Sequence, residues 1–244
     1  MNQVKHWLTP DWPLPDHIHA ATTLRTGGYS QPPFSSLNMA DHVGDEPEKV
    51  QKNRQVVKKL LILPNDPVWL QQVHGNKVVY AQKTDHQLVA DASYTDQAGI
   101  VCAVLTADCL PILVCSTDGK KIAAIHAGWR GLLSGVISNT LAVFNTQDAL
   151  IWLGPAIGED SFEVGSEVRS LFLAKSSDFF DAFKQHQTDK WLLDIYQLAR
   201  IELSQLGYCK IYGGGFCTFR DQDRFYSYRR DQLTGRMATL IWRD

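Results

Sequence analysis

This 244-residue sequence predicts an α+β fold with a largely antiparallel or mixed sheet. Hairpin-like strand pairs alternate with segments of helical periodicity, and no regular strand–helix–strand rhythm appears. No internal repeat or Ser/Gly-rich linker divides the chain, so residues 1–244 read as a single domain near the upper size for one core.

Residues 25–45 (RTGGYSQPPFSSLNMADHVGD) predict a long loop, because Gly27-Gly28 and Pro32-Pro33 punctuate them. Loops of that length in compact domains often line sites. Residues 46–63 predict a helix, with Pro47 in its first turn and Val50, Val56, Val57, Leu60 and Leu61 on one side. Residues 68–80 predict two short strands around the Gly75-Asn76 turn. Residues 100–105, the longest apolar run, predict a buried strand. Residues 110–126 predict a hairpin whose Asp118-Gly119 supplies the two positive-φ positions of a type I′ turn.

One amphipathic helix is predicted over 131–144, from Leu132, Leu133, Val136, Ile137, Leu141 and Phe144. Residues 149–153 follow as a strand ended by Gly154-Pro155. Helices are predicted over 161–173 and 190–206, the second closed by Gly207. Strands over 225–229 and 237–243, joined at Thr234-Gly235, complete the chain.

Composition narrows the function classes. The chain is 44% hydrophobic and 20% charged, with 24 basic against 26 acidic side chains. A formal charge of −2 gives no general pull toward nucleic acid or anionic lipid. No stretch approaches the roughly 18 apolar residues of a membrane helix, and the first twenty residues lack the apolar core of a secretory leader. Five cysteines without a CxxC pair read as free thiols of a reducing cytoplasm. A monomer or weak homodimer is expected.

The chemistry concentrates in LTADCLPILVCSTDGKKIAAIHAGWRG. With Asp118-Gly119 at the hairpin tip, facing positions sum to 237. Cys109 then faces Gly128, and His126 lies two residues away on the same face. Cys109 and His126 become diagonal neighbours roughly 7–8 Å apart at the backbone. Pro111 cannot donate to the ladder and could shift this register.

A converging thiolate and imidazole allow either metal ligation or a cysteine nucleophile activated by histidine. Metal ligation needs a third donor, for which His74 in WLQQVHG is the best candidate. Three protein ligands would leave a position open, as in catalytic zinc sites. The plainer alternative is that Cys109 is a small core residue.

Other candidates are weighed the same way. His17 and His19 read as a surface or structural pair, while His42 in DHVGD could lie near the site. The strand-to-helix junction His126–Gly131 could bind an anion with help from Arg130. Arg25 and the pair Arg229-Arg230 are further phosphate or carboxylate candidates, although most arginines are solvated surface charges. Phe34, Trp129 and Tyr228 could stack on a planar ligand, with core packing the commoner use of each.

QVHG at 72–75, TADCLP at 106–111, HAGWRG at 126–131 and SYRRD at 227–231 together resemble the laccase-domain (YfiH-like) family, once named for multicopper polyphenol oxidases. RTGG at 25–28, HVGD at 42–45, Gly154-Pro155 and Cys217-Thr218 fit as well. The resemblance implies mixed β-sheets in an α/β sandwich with flanking helices, distantly similar to a bacterial toxin deamidase. It implies zinc held by His74, Cys109 and His126, which would also be the catalytic residues. It further implies phosphorolysis of adenosine, inosine and methylthioadenosine, and hydrolytic deamination of adenosine.

Arg25, His42, Arg130 and Arg230 are the expected substrate- or phosphate-binding residues. Cys109 or Asp108 is the expected proton shuttle. Purine nucleosides and phosphate are the expected partners, with neither nucleic acid nor membrane. A multicopper cluster would need many more suitably placed histidines than these eight, although a single Cu(II) could occupy the same His₂Cys set and oxidise phenols slowly. Two alternatives stay open: a Cys109–His126 amide hydrolase that edits peptidoglycan precursors, and a non-catalytic metal- or nucleotide-binding protein.

Overall fold

The computed structural model describes residues 5–84, 86–144 and 147–244. Four positions of the N-terminal segment read for a leader lie outside these. The chain opens with β1 (Trp7–Leu8) and β2 (Ile18–Thr23), then a long loop, then α1 (Pro47–Leu60), which has proline at its start as expected. β3 (Leu70–Gln71), β4 (Val78–Tyr80), β5 (Leu88–Val89), β6 (Ala92–Thr95) and β7 (Val101–Thr106) follow. Next come the hairpin β8 (Leu110–Ser116) and β9 (Ile122–Ala127), and the short helices α2 (Trp129–Ser134) and α3 (Val136–Ala142). β10 (Ala149–Leu153), β11 (Glu163–Gly165), α4 (Ser166–Lys175), β12 (Phe183–Gln187) and β13 (Lys190–Leu193) lead to α5 (Ile195–Gln205). β14 (Ile211–Gly213), the single turn α6 (Tyr228–Asp231) and β15 (Met237–Arg243) end the chain.

Two sheets dominate. One runs β1-β2-β15-β7 and is antiparallel; the other runs β14-β10-β8-β9-β6-β4 and is mixed. Strand alternation builds the layers. Cys102 and Val104 of β7 meet Leu113 and Cys115 of β8, and Ile122 and Ala124 of β9, between the sheets. On the outer side of the six-stranded sheet, Ile112, Val114 and Ile125 pack against Leu132, Ile137, Phe172 and Leu198 of the helices. Beyond the other sheet, Val101, Ala103 and Leu240 cover Val57 of α1 and Leu37 and Met39 of the long loop. Each fully buried Leu or Ile contributes about 1.5–3 kcal/mol to this α/β sandwich. No helix among the described residues is long and apolar enough to cross a membrane.

Several elements differ from the sequence expectation for local reasons. The helix predicted over 131–144 is two helices, because Gly135 adopts φ 88° and ends the first. Gly135→Ala should lower stability by about 1 kcal/mol, since an L-residue is strained in that region; a Tm unchanged within a degree in thermal melts would contradict it. The segment 190–206 is a strand followed by a helix. Asp194 accepts a hydrogen bond from the Gln197 N–H at 3.0 Å, an N-cap that starts α5 at Ile195 rather than at the expected Lys190. The region 161–173 likewise spends three residues pairing β11 with β13 before α4 begins. Residues 225–229 are not a strand: Ser227 caps the turn of α6 through the Arg230 N–H. β3 and β4 do not pair with each other but join different sheets.

The hairpin keeps the expected register. Leu110 pairs with Ala127, Pro111 with His126 and Cys115 with Ile122, so Pro111 introduces no shift. The tip differs, however. Gly119 alone of the expected pair has positive φ, at 67°, while the Asp118 carboxylate accepts from the Ser116 hydroxyl at 2.7 Å and the Lys120 N–H at 3.1 Å. A longer tip with the same centre preserves the pairing.

Candidate metal centre and cavity

β9 directs Ile122 and Ala124 between the sheets, and His126 continues that face at the strand's end. Cys109 lies on the link that brings β7 into β8. An added Cβ on Gly128 would lie 3.0 Å from Cys109 Sγ and 3.1 Å from His74 Cδ2, so the count that set Cys109 opposite Gly128 describes the fold. His74 enters from the loop after β3, with Nε2 3.8 Å from Cys109 Sγ. The His74 and His126 rings meet edge to face at 4.7 Å. One ligand atom from each of His74, Cys109 and His126 lies within 4.8 Å of the others.

Asp91, which sequence reasoning passed over, holds this arrangement. Its fully buried carboxylate accepts from the backbone N–H groups of Val73, His74 and Gly75 at 3.2, 2.9 and 2.7 Å. It also accepts from His126 Nδ1–H at 2.8 Å. The three converging N–H groups stabilise the backbone at His74, where φ is 59°. The bond to Nδ1 turns His126 Nε2 toward the cluster, the usual carboxylate–histidine support of a metal ligand. Nothing in the local sequence DAS marks this aspartate, because its partners come from two distant segments.

Electrostatics agree. Burial resists a thiolate at Cys109, but His126 and His74, through charge and hydrogen bonding, outweigh it and bring the thiol down to about 6. Burial likewise resists a charged His126, and Cys109 with Asp91 overcomes it and raises the imidazole. Thiolate and imidazolium are therefore the paired forms of the bare cluster. A soft thiolate and two imidazoles at these separations suit an ion bonded at about 2.0–2.3 Å to tetrahedral donors. The three residues could hold a metal.

The cluster opens into a cavity of about 480 Å³, within the range of small-molecule sites. Trp129, Phe162 and Tyr228 give it aromatic walls, Arg130, Arg229 and Arg236 give it positive charge, and His42 also lines it. Arg130 is exposed and stacks on Trp129, with 4.3 Å to the ring centroid.

Two expected phosphate-binding residues are committed elsewhere. Arg25 bonds to the carbonyls of Ser35 and Gln222 and lies over Tyr226, bracing the long loop. Arg230 spends its guanidinium on the carbonyls of Thr218, Phe219 and Phe225 and on Asp231. Neither lines the cavity; Arg229, the other member of the pair, does. Phe34 is buried in the loop rather than at the cavity. His17 and His19 bond to Gly119 O and the Asp244 carboxylate, as a structural pair would. Asp108 faces the cavity at φ 93°, but its carboxylate accepts from Thr218 Oγ1 and the Arg229 N–H, both at 2.6 Å.

Comparison with known proteins agrees with this architecture. The family model described as multi-copper polyphenol oxidoreductase laccase matches residues 19–244. The purine nucleoside phosphorylase YfiH of Shigella flexneri is 49% identical over 243 residues, covering 96% of this chain and 98% of that protein. A purine nucleoside phosphorylase of Haemophilus influenzae is 43% identical over 239 residues, covering 96% and 98%. The crystal structure of a Neisseria meningitidis protein superposes with a TM-score of 0.95 at 45% identity, covering 98% of this chain and all of that one. YlmD from Geobacillus stearothermophilus superposes at 0.92 with 30% identity, covering 100% and 98%. With its sandwich, its His–Cys–His cluster and these likenesses over nearly its whole length, the chain belongs to the multi-copper polyphenol oxidoreductase laccase family.

Proposed function

We propose that this protein is a zinc-dependent purine nucleoside phosphorylase acting on adenosine, inosine and methylthioadenosine, with hydrolytic deamination of adenosine as a second activity. The observation that carries the reading is the His74–Cys109–His126 cluster at the floor of a cavity with aromatic walls and three arginines. The printed names of the relatives supply the substrate class. Zinc suits one thiolate and two imidazoles, and His74, Cys109 and His126 would hold it. Copper could take the same donors, but a multicopper centre needs further histidine groups. Among the described residues this is the one such cluster.

When bound, the ion would supply Lewis acidity at the cavity floor. The chain's own residues supply the rest. Trp129, Phe162 and Tyr228 offer faces for a purine. The arginines favour phosphate and the anionic sugar phosphate that phosphorolysis releases. Of the two acids read as proton shuttles, Asp108 already accepts from Thr218 and Arg229, which leaves Cys109 facing the cavity.

One observation favours a second reading. Cys109, His126 and Asp91 stand in the order of a nucleophile, base and orienting carboxylate. That arrangement suits an amide hydrolase acting on a peptidoglycan precursor, with Cys109 attacking the carbonyl, His126 protonating the departing amine, and water then cleaving the thioester to release the acid and restore the thiol.

Zinc-loaded protein incubated with adenosine or inosine, with and without phosphate, separates these readings. Release of free base only with phosphate, lost in Cys109→Ala, is the expected result; inosine formed from adenosine without phosphate reports deamination. No nucleoside turnover, together with cleavage of an amide-bearing cell-wall precursor that thiol alkylation abolishes, would replace the first reading with the second.

A further inference from the structure

We infer that Arg236 and Thr106 form the phosphate subsite of this cavity. Thr106 closes β7 and is 2% exposed, yet its Oγ1 has no hydrogen-bond partner among the described residues. It lines the cavity. Its side chain follows Cys102 and Val104 on the inter-sheet face, the face that His126 takes on the opposite sheet. A buried hydroxyl without a partner is rare in a folded protein, and one that borders a ligand-sized cavity is placed to bond to what enters it.

The β-ladder brings the second group. Thr106 pairs with Met237, and Arg236 immediately precedes Met237. Arg236 is half-buried and anchored by one nitrogen: Nη1 donates to the carbonyls of Thr234 and Gly235 at 2.8 and 3.0 Å. Nε and Nη2 carry no hydrogen bond to any described residue, and the side chain lines the same cavity. The free edge of a fixed guanidinium is a bidentate site for two oxygens of one tetrahedral anion.

The nearby negative charges do not fill this edge. Asp108 is occupied by Thr218 and the Arg229 N–H, and Cys109 is a ligand of the proposed ion. Arg25 and Arg230, in contrast, are braces whose bonds run to backbone carbonyls and Asp231. The guanidinium and the hydroxyl together bind inorganic phosphate as the second substrate, an inference that rests on the phosphorolysis reading above.

The test uses zinc-loaded wild type, Arg236→Met and the near-isosteric Thr106→Val. Inosine turnover is measured at varied phosphate, and inorganic phosphate alone is titrated calorimetrically. The phosphate KM should rise about tenfold or more in Arg236→Met, and several-fold in Thr106→Val, while the inosine KM stays within about twofold. Phosphate binding should weaken in parallel. A phosphate KM unchanged in folded Thr106→Val and Arg236→Met, with wild type active, overturns the subsite and leaves phosphorolysis intact. If wild type turns over no nucleoside, the functional reading fails and the titration decides alone. Binding weakened by Arg236→Met then keeps the anion subsite, and absent or unaltered binding removes it.

Discussion

Asp91→Asn should weaken metal binding by about 10- to 100-fold with the fold retained. The reason lies in how the carboxylate divides its acceptors. Oδ1 serves His74 N–H and His126 Nδ1–H, and Oδ2 serves the Val73 and Gly75 N–H groups. An asparagine must put its NH₂ at one of these positions. At Oδ2 it would oppose two backbone donors that cannot change. At Oδ1 it opposes one backbone donor and a histidine that can exchange tautomers, so the amide turns that way. His126 Nδ1 then accepts, and the proton moves to Nε2, the nitrogen that faces Cys109 and His74. The ligand set loses a lone pair without losing a side chain. Competition titration with a chelator measures the affinity, and the thiolate absorption of cobalt-substituted protein reports whether the site still assembles. Affinity within twofold of wild type would rule out this role for Asp91.

Gly128→Ala should reduce turnover, by less than the roughly 100-fold that a displacement of about an ångström costs, because the ligands beside it must shift by only a few tenths of an ångström. Gly128 has φ −71° and ψ 163°, a conformation open to any residue, so the backbone does not require glycine here. The side-chain space does. A methyl would press on Cys109 Sγ at 3.0 Å and on the His74 ring at 3.1 Å, and Cys109 on its short link or His74 on its loop must give way. Circular dichroism should match wild type while activity and metal stoichiometry fall. Full activity with one bound metal per chain would show that these two ligands tolerate displacement.

Much of the centre was legible because one local signal carried long-range information. The Asp118-Gly119 turn fixed a sum of facing positions, and that sum brought Cys109 to Gly128 and His126 to the same end of the sheet. The type I′ assignment was incorrect and the register still correct, since a tip lengthened by one residue on each side has the same centre. Ile112 and Leu113, on opposite faces of β8, both lie in apolar layers, so a strand covered on both sides could be read from composition alone. The 190–206 segment was less legible because helical periodicity hid the Asp194 cap, although that residue type was itself the signal.

The arginines were hardest. Arg25, Arg230 and Arg236 look alike in sequence, and their roles depend on which carbonyls reach them after folding. Arg25 and Arg230 became braces because loop carbonyls converge on them, whereas Arg236 meets two carbonyls at a single nitrogen. Asp91 was invisible for the same reason, since a solitary aspartate acquires meaning only from donors brought to it by β3 and β9.

His74, Cys109 and His126 belong to three separate pieces of chain that meet where the sheets part. An unfolded chain scatters them, and an ion that prefers the assembled set adds stability as its concentration rises, about 2.7 kcal/mol at a hundredfold excess over its Kd. For a domain of ordinary marginal stability, that increment can decide which molecules survive proteolysis. Metal supply would then set not only how many copies are active but how many persist, and the abundance of this protein would follow the free-metal level around it.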